Sequence, residues 1–157
     1  MTRQILILNF YTIRMGSIET INFYLLDKPI RTYRNYSQKK LKEKGFNITV
    51  DQWLIIKVLF ENPGIPQIDL AKKVFKDNAS VTRIIDLLVK AKYLDRKTNP
   101  KDRRTSILKV TASGEQIIYK VQDLVLQNRR NAQAGISIED LENLNRTLQK
   151  IIINCQS

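Results

Sequence analysis

With 157 residues, the chain has the length of one ordinary domain, or of two small ones sharing a core. Its 43% hydrophobic content suffices for a packed core, and 27 Lys and Arg against 15 Asp and Glu leave a formal net charge of +12, which predicts a polyanionic partner, either nucleic acid or an anionic membrane surface. There is no histidine, which removes the commonest general base and metal ligand, and the one cysteine, Cys155, excludes an intramolecular disulfide or a cysteine-built zinc site.

Residues 1–16 are read as an N-terminal extension. The apolar run from Gln4 to Ile13 has about half the length needed to cross a bilayer and no clear small-residue cleavage site after it. It is expected to pack on a partner subunit or to lie upstream of a true start at Met15. With no secretory pattern, a reducing cytoplasm is the expected compartment.

The rest of the chain is divided by its turn residues. Residues 17–45 read as a helical region, with Ile30, Tyr33, Tyr36 and Leu41 among basic residues and Gly45 closing it. Pro29 suits either the first turn of a helix or a kink in a longer one starting near Ile18. Asp51 to Asn62 follows as a helix carrying Trp53, Leu54, Ile56, Val58 and Leu59, with Thr49 as its N-cap. After the Pro63, Gly64 and Pro66 turn cluster, Gln67 to Phe75 places Leu70, Ala71 and Val74 at helical spacing. Asn78 to Lys92 sets Val81, Ile84, Ile85, Leu88 and Ala91 on one face. Leu94 to Thr98 and Thr105 to Val110 read as two strands joined by a polar loop, Asn99 to Arg104. Two further amphipathic helices, Thr111 to Arg130 and Ser137 to Asn154, complete the chain.

Two short helices joined by a tight turn and followed by a basic hairpin outline a winged helix, within a mainly α (α+β) fold. A helix fits the major groove, and its exposed face must carry groups that reach base edges. Opposite its apolar stripe, the helix from Asn78 shows Asn78, Ser80, Thr82, Arg83 and Asp86, which suit base edges and nearby phosphates. The hairpin concentrates Lys97, Lys101, Arg103 and Arg104, interrupted only by Asp102. A protruding loop with paired arginines suits the narrow, negative minor groove. From Lys72 to Arg104 there are 11 Lys or Arg against four Asp or Glu, so the positive excess falls on the expected reading head. The basic residues sit on a wing and not along an amphipathic helix face, which argues against a membrane partner.

Several segments resemble the MarR family of winged-helix regulators. They are Thr49-Val-Asp-Gln-Trp-Leu, Gln67-Ile-Asp-Leu-Ala, Ser80-Val-Thr-Arg-Ile-Ile-Asp-Leu-Leu, Tyr93-Leu-Asp-Arg, Asp102-Arg-Arg and Val110-Thr-Ala-Ser-Gly. The resemblance covers about Pro29 to Ser157. It implies base and phosphate contacts from Ser80, Thr82 and Arg83 with Asn78 and Ala79 nearby, and a wing in which Asp102 orients Arg104 toward the minor groove while Arg103 reaches phosphate. Arg96 matches a position that supports the wing. Lys92 stands where the family usually has glycine, at a cost of roughly 1 kcal/mol for a left-handed turn.

The resemblance further implies a homodimer built from residues 17–45 and 112–157, with 46–111 as the DNA-binding domain and a palindromic operator as target. The apolar character of Ile136 to Ile153 agrees with a covered face. A small phenolic or aromatic effector is expected against Tyr33, Tyr36 or Trp53. The expected function is a sequence-specific, double-stranded DNA-binding regulator, a repressor released by such a ligand. A non-specific or RNA-associated winged-helix protein is the alternative. With no Gly-rich phosphate loop and no paired carboxylates, no catalytic residue, cofactor or metal is expected.

Overall fold

The computed structural model describes residues 22–100 and 102–156, except for the side chains of Arg103 and Arg104. The N-terminal extension expected at 1–16 and the helix start expected near Ile18 lie outside the described residues. The order is α1 (Asn22–Glu43), α2 (Val50–Glu61), α3 (Gln67–Lys73), α4 (Asn78–Lys90), β1 (Leu94–Asn99), β2 (Asp102–Val110), α5 (Ala112–Ala132) and α6 (Ile138–Gln156). Two compact units meet within α5, at Gln122 and Asp123.

The helix ends follow local chemistry. α1 runs through Pro29, so of the two sequence expectations the longer helix is the one formed. It closes at Gly45, where φ is +74°. There Gly45 N–H donates to the Lys42 carbonyl at 3.0 Å and Phe46 N–H donates to the Leu41 carbonyl at 3.0 Å. This pair of bonds satisfies carbonyls that a helix end leaves open, and the left-handed residue it needs is least costly as glycine. α2 opens on the expected N-cap, Thr49, completed by Gln52 into a reciprocal capping box.

The core of the first unit is built where these helices converge. Ile55, Ile56 and Leu59 of α2 are buried with Leu70 of α3, Val81, Ile85 and Leu88 of α4, Leu94 and Leu108 of the strands, and Ile117, Ile118 and Val121 of α5. Burying a side chain of this size contributes roughly 1.5–3 kcal/mol. Two members of the apolar stripe predicted for α4 depart from it: Ile84 is half-buried, and Ala91 is exposed because it already caps the helix.

The hairpin differs from its sequence expectation. The strands reach Asn99 and Asp102, so Asn99 and residues 102–104 of the six-residue loop expected from Asn99 to Arg104 belong to strands. β1 and β2 pair antiparallel, Leu94 with Val110 through Thr98 with Ser106, and the register then breaks so that Asn99 faces Asp102. Residues 103–105 of β2 therefore have no opposite number on β1, which is a bulge at the tip. Asn-Pro and the surrounding charges suggested a loop because strand patterning rests on a buried face, and a ribbon protruding into solvent has none.

In the second unit α6 is amphipathic, with Leu141, Leu148 and Ile151 half-buried while Leu144, Ile152 and Ile153 are exposed. Among the described residues, no helix is long and apolar enough to cross a membrane.

Candidate nucleic-acid interface

The helix that would enter a groove, α4, is held from its first residue. Asp77 is its N-cap and accepts a hydrogen bond from the Ser80 backbone N–H at 2.7 Å. The Ser80 hydroxyl donates to the other carboxylate oxygen at 2.7 Å. The Ser80 hydroxyl first, and then the Ser80 N–H, hold the Asp77 carboxyl below its ordinary range. Thr82 is equally engaged: its hydroxyl donates to the Asn78 carbonyl at 2.8 Å and accepts from the Gln67 side-chain amide at 2.8 Å. Each hydroxyl has one proton and two lone pairs. With both protons committed inside the chain, each hydroxyl keeps only acceptor capacity for a further partner.

The remaining predicted residues of α4 divide into two roles. Asn78, Ala79 and Arg83 are exposed. Asp86 is turned to the hairpin instead, where it accepts from Arg96 of β1 at 2.8 Å. This ion pair gives the wing-supporting place expected of Arg96 a concrete partner. The Asp86 side chain stays 56% exposed in this pair.

The wing and the start of α4 border one concavity of about 840 Å3. Its walls include Gly64, Pro66 and Gln67 before and within α3, Asn78 of α4, and Asn99 and Asp102 of the hairpin. Near the tip, the Asn99 amide donates to the Thr105 hydroxyl at 3.0 Å, and that hydroxyl donates to the Asp102 carbonyl at 3.0 Å. These bonds organise the bulge that carries residues 103–105. Lys97 is exposed on β1. The side chains of Arg103 and Arg104, and Lys101 entirely, lie outside the described residues.

The wing root is tied to α5 by Thr111. Its N–H donates to the Tyr93 carbonyl at 3.1 Å, and its hydroxyl donates to the Lys92 carbonyl at 2.7 Å while accepting from Gly114 N–H at 3.0 Å. Lys92 takes the left-handed conformation expected of it, with φ of +61°. Here it closes α4 with the same bond pair seen at Gly45, Lys92 N–H to the Val89 carbonyl and Tyr93 N–H to the Leu88 carbonyl.

Three features escaped the sequence reading. Gln67 and Asp77 fix the recognition helix, but a polar residue at a helix start has no single signature. Asp51 at the start of α2 pairs with Arg34 of α1 and, at 2.9 Å, with Lys76 in the turn before α4. That junction joins positions distant in sequence, and no local pattern announces it. Phe75, in the same turn, is left-handed with φ of +54° and 94% exposed.

The residues expected to meet an effector lie elsewhere. Tyr33 and Tyr36 are half-buried on α1, and Trp53 is buried on α2. None of the three lines the cleft beside the wing. The indole N–H of Trp53 and the hydroxyl of Ser37 are buried without a hydrogen-bond partner among the described residues.

Residues 48–106 match the MarR family model. An uncharacterized HTH-type transcriptional regulator of Bacillus subtilis, YhbI, is 36% identical over 86 residues. That alignment takes in 53% of this chain and 56% of the relative, so the chain spans little more than half the length of the relative it matches. Among solved structures, the Staphylococcus aureus MepR–DNA complex superposes with a TM-score of 0.74 at 20% identity, covering 88% of this chain and 99% of that one. Bordetella bronchiseptica BpsR, described with regulation of its DNA binding by 6-hydroxynicotinic acid, superposes with a TM-score of 0.78 at 18% identity, covering 87% and 96%. At these identities the structural likenesses establish the winged-helix fold.

Proposed function

We propose that this chain, a MarR-family protein through its winged-helix region, is a sequence-specific regulator that reads duplex DNA. One observation carries the reading: the N-terminal end of α4 and the basic hairpin border the same concavity. A duplex lying across its open side would place α4 in the major groove and the wing tip over the adjacent minor groove. Residues 46–111 act as the reading head. Asn78, Ala79, Ser80, Thr82 and Arg83 meet bases and phosphates, and Lys97, Lys101, Arg103 and Arg104 meet the backbone and minor groove beside Asp102.

The proposed assembly is a homodimer formed by α1 and by residues 112–157. Supporting it are the exposed apolar side chains Phe23, Leu25 and Ile30 on α1, and Ile138, Leu144, Ile152 and Ile153 on α6. Two-fold symmetry then calls for a palindromic operator with half-sites about one helical turn apart. Repression released by a small aromatic acid is the regulatory reading, with Tyr33, Tyr36 and Trp53 as its contacts. The orphaned Trp53 N–H and Ser37 hydroxyl support it, since a buried donor without a partner costs roughly 1–3 kcal/mol that a ligand acceptor would recover. Such a ligand would favour a head spacing that no longer fits the half-sites.

Selection of bound duplexes from a random library tests the reading. The expected result is an enriched palindrome, bound far more tightly than random DNA or double-stranded RNA. Equal affinity for all three overturns it in favour of a non-specific nucleic-acid binder. On the selected duplex, Arg104→Ala weakens binding and lowers the slope of log affinity against log salt by about 1. Arg83→Ala costs more on the palindrome than on random DNA if it reads a base, and equally on both if it touches only phosphate.

A further inference from the structure

Among the described residues, Phe75 is the most exposed large apolar side chain, at 94%. It is also one of two non-glycine residues with positive φ among the described residues, at +54°. Backbone bonds and an ion pair close the turn around it. Phe75 N–H donates to the Lys72 carbonyl at 3.2 Å, Lys76 N–H donates to the Ala71 carbonyl at 3.0 Å, and the Lys76 ammonium is held by Asp51 at 2.9 Å. This is the same closure that Gly45 provides for α1. At α3 the position is filled by a bulky residue that pays the left-handed penalty and packs almost no surface in return. Fold stability gives no reason for a phenylalanine here.

Its surroundings do suggest one. Phe75 lies two residues before the N-cap Asp77 and three before Asn78, which borders the cleft beside the wing. Three residues of chain reach at most about 11 Å, so the ring stands within a few phosphates of the base-reading end of α4. Lys72, Lys73 and Lys76 flank it in sequence, Lys72 paired with Asp69 at 3.1 Å and Lys76 with Asp51 at 2.9 Å. An exposed aromatic ring among lysines matches the surface of a duplex, where deoxyribose faces and thymine methyls offer apolar contact between phosphates.

We propose that Phe75 is a DNA-contacting residue, its ring laid against the sugars or a thymine methyl at the rim of the major groove beside the α4 N-terminus. The proposal rests on the reading of α4 and the wing as the DNA-binding face. It implies a base preference flanking the positions read by α4.

Phe75→Gly separates the two possible roles. Glycine relieves the left-handed strain and removes a ring that packs on nothing, so the unfolding midpoint should stay or rise by about 2–4 °C. Binding to a duplex selected by the wild-type chain should fall about tenfold, with the salt slope unchanged because no phosphate contact is lost. Selection repeated with the variant should lose a flanking preference, most simply for thymine. Unchanged affinity and unchanged selected sequence would overturn the proposal while leaving the DNA-binding reading intact. Failure of the wild-type chain to select any duplex would instead overturn that reading, and this proposal with it. A weaker dimer on sedimentation, with DNA affinity per dimer unchanged, would assign the ring to self-association and also overturn it.

Discussion

Replacing Gly114 by alanine puts the wing root under a defined load. A Cβ built there lies 2.3 Å from the Tyr93 carbonyl oxygen and 2.8 Å from Cγ1 of Val110. Ordinary contact begins at 3.4 Å, so the first turn of α5 and the start of β1 must part by about 1.1 Å. Neither partner is a flexible side-chain end: one is backbone, the other a β-branched residue on β2. Overpacking of this kind costs about 1–3 kcal/mol. Alanine returns up to about 1 kcal/mol of helix propensity, less in a first turn. The net loss reaches about 3 kcal/mol at most and centres on about 1–2 kcal/mol, for which the unfolding midpoint falls by about 2–8 °C in a chain of this size. Parting the segments also strains the Thr111 N–H bond to the Tyr93 carbonyl, 3.1 Å in the native chain. Circular dichroism gives the midpoint, and amide exchange at Thr111 gives the local opening. Gly64→Ala serves as control, because a Cβ there meets nothing within 4 Å and only its φ of +80° is penalised. It should lower the midpoint without speeding exchange at Thr111. A Gly114→Ala protein with native midpoint and native exchange at Thr111 would refute the argument.

Three other outcomes follow from the described geometry. The carboxyl of Asp77 is held below its ordinary range in the folded chain, so the capping stabilisation is complete above that range and is lost as the pH falls through the lowered value. Asp77→Asn should flatten that acid limb of the stability profile, read as midpoint against pH. Arg96→Met breaks the 2.8 Å pair with Asp86. Because both side chains are partly exposed, stability should change by less than about 1 kcal/mol, while DNA affinity falls measurably with native helix content. Ile152→Asp on the exposed face of α6 should convert a dimer to monomers in sedimentation velocity, and an unchanged dimer would remove that face from the interface.

The helices were legible in the sequence because each carries a repeating apolar stripe with a recognisable end. Val81, Ile85 and Leu88 recur at helical spacing, and Thr49 and Gly45 mark a start and a stop. The helix from Asn78 and the hairpin that follows it fall where the family resemblance expects a winged helix. What stayed hidden depends on pairing across space. Asp86 looked like a base-reading residue because it sits on the polar face of α4, and only the strand beside it reveals its tie to Arg96. Ser80 and Thr82 read as polar groups suited to base edges, and only the structure shows their protons committed to Asp77 and to Asn78. The end of α3 was blurred because phenylalanine occupies the place where glycine would have announced a turn.

The break in register at the wing tip has a consequence for solubility. A two-stranded ribbon has no central strand, so each of its strands presents an outer edge of backbone donors and acceptors. A long, regular edge of that kind templates the addition of strands from other chains. Here the ladder is interrupted after Thr98 and Ser106, and the unmatched residues 103–105 break the regular spacing of the edge of β2. Lysine and arginine crowd the same stretch, so a second ribbon approaching edge-on would meet like charge as well as irregular spacing. The hairpin can thus stand out from the body of the protein without seeding aggregation.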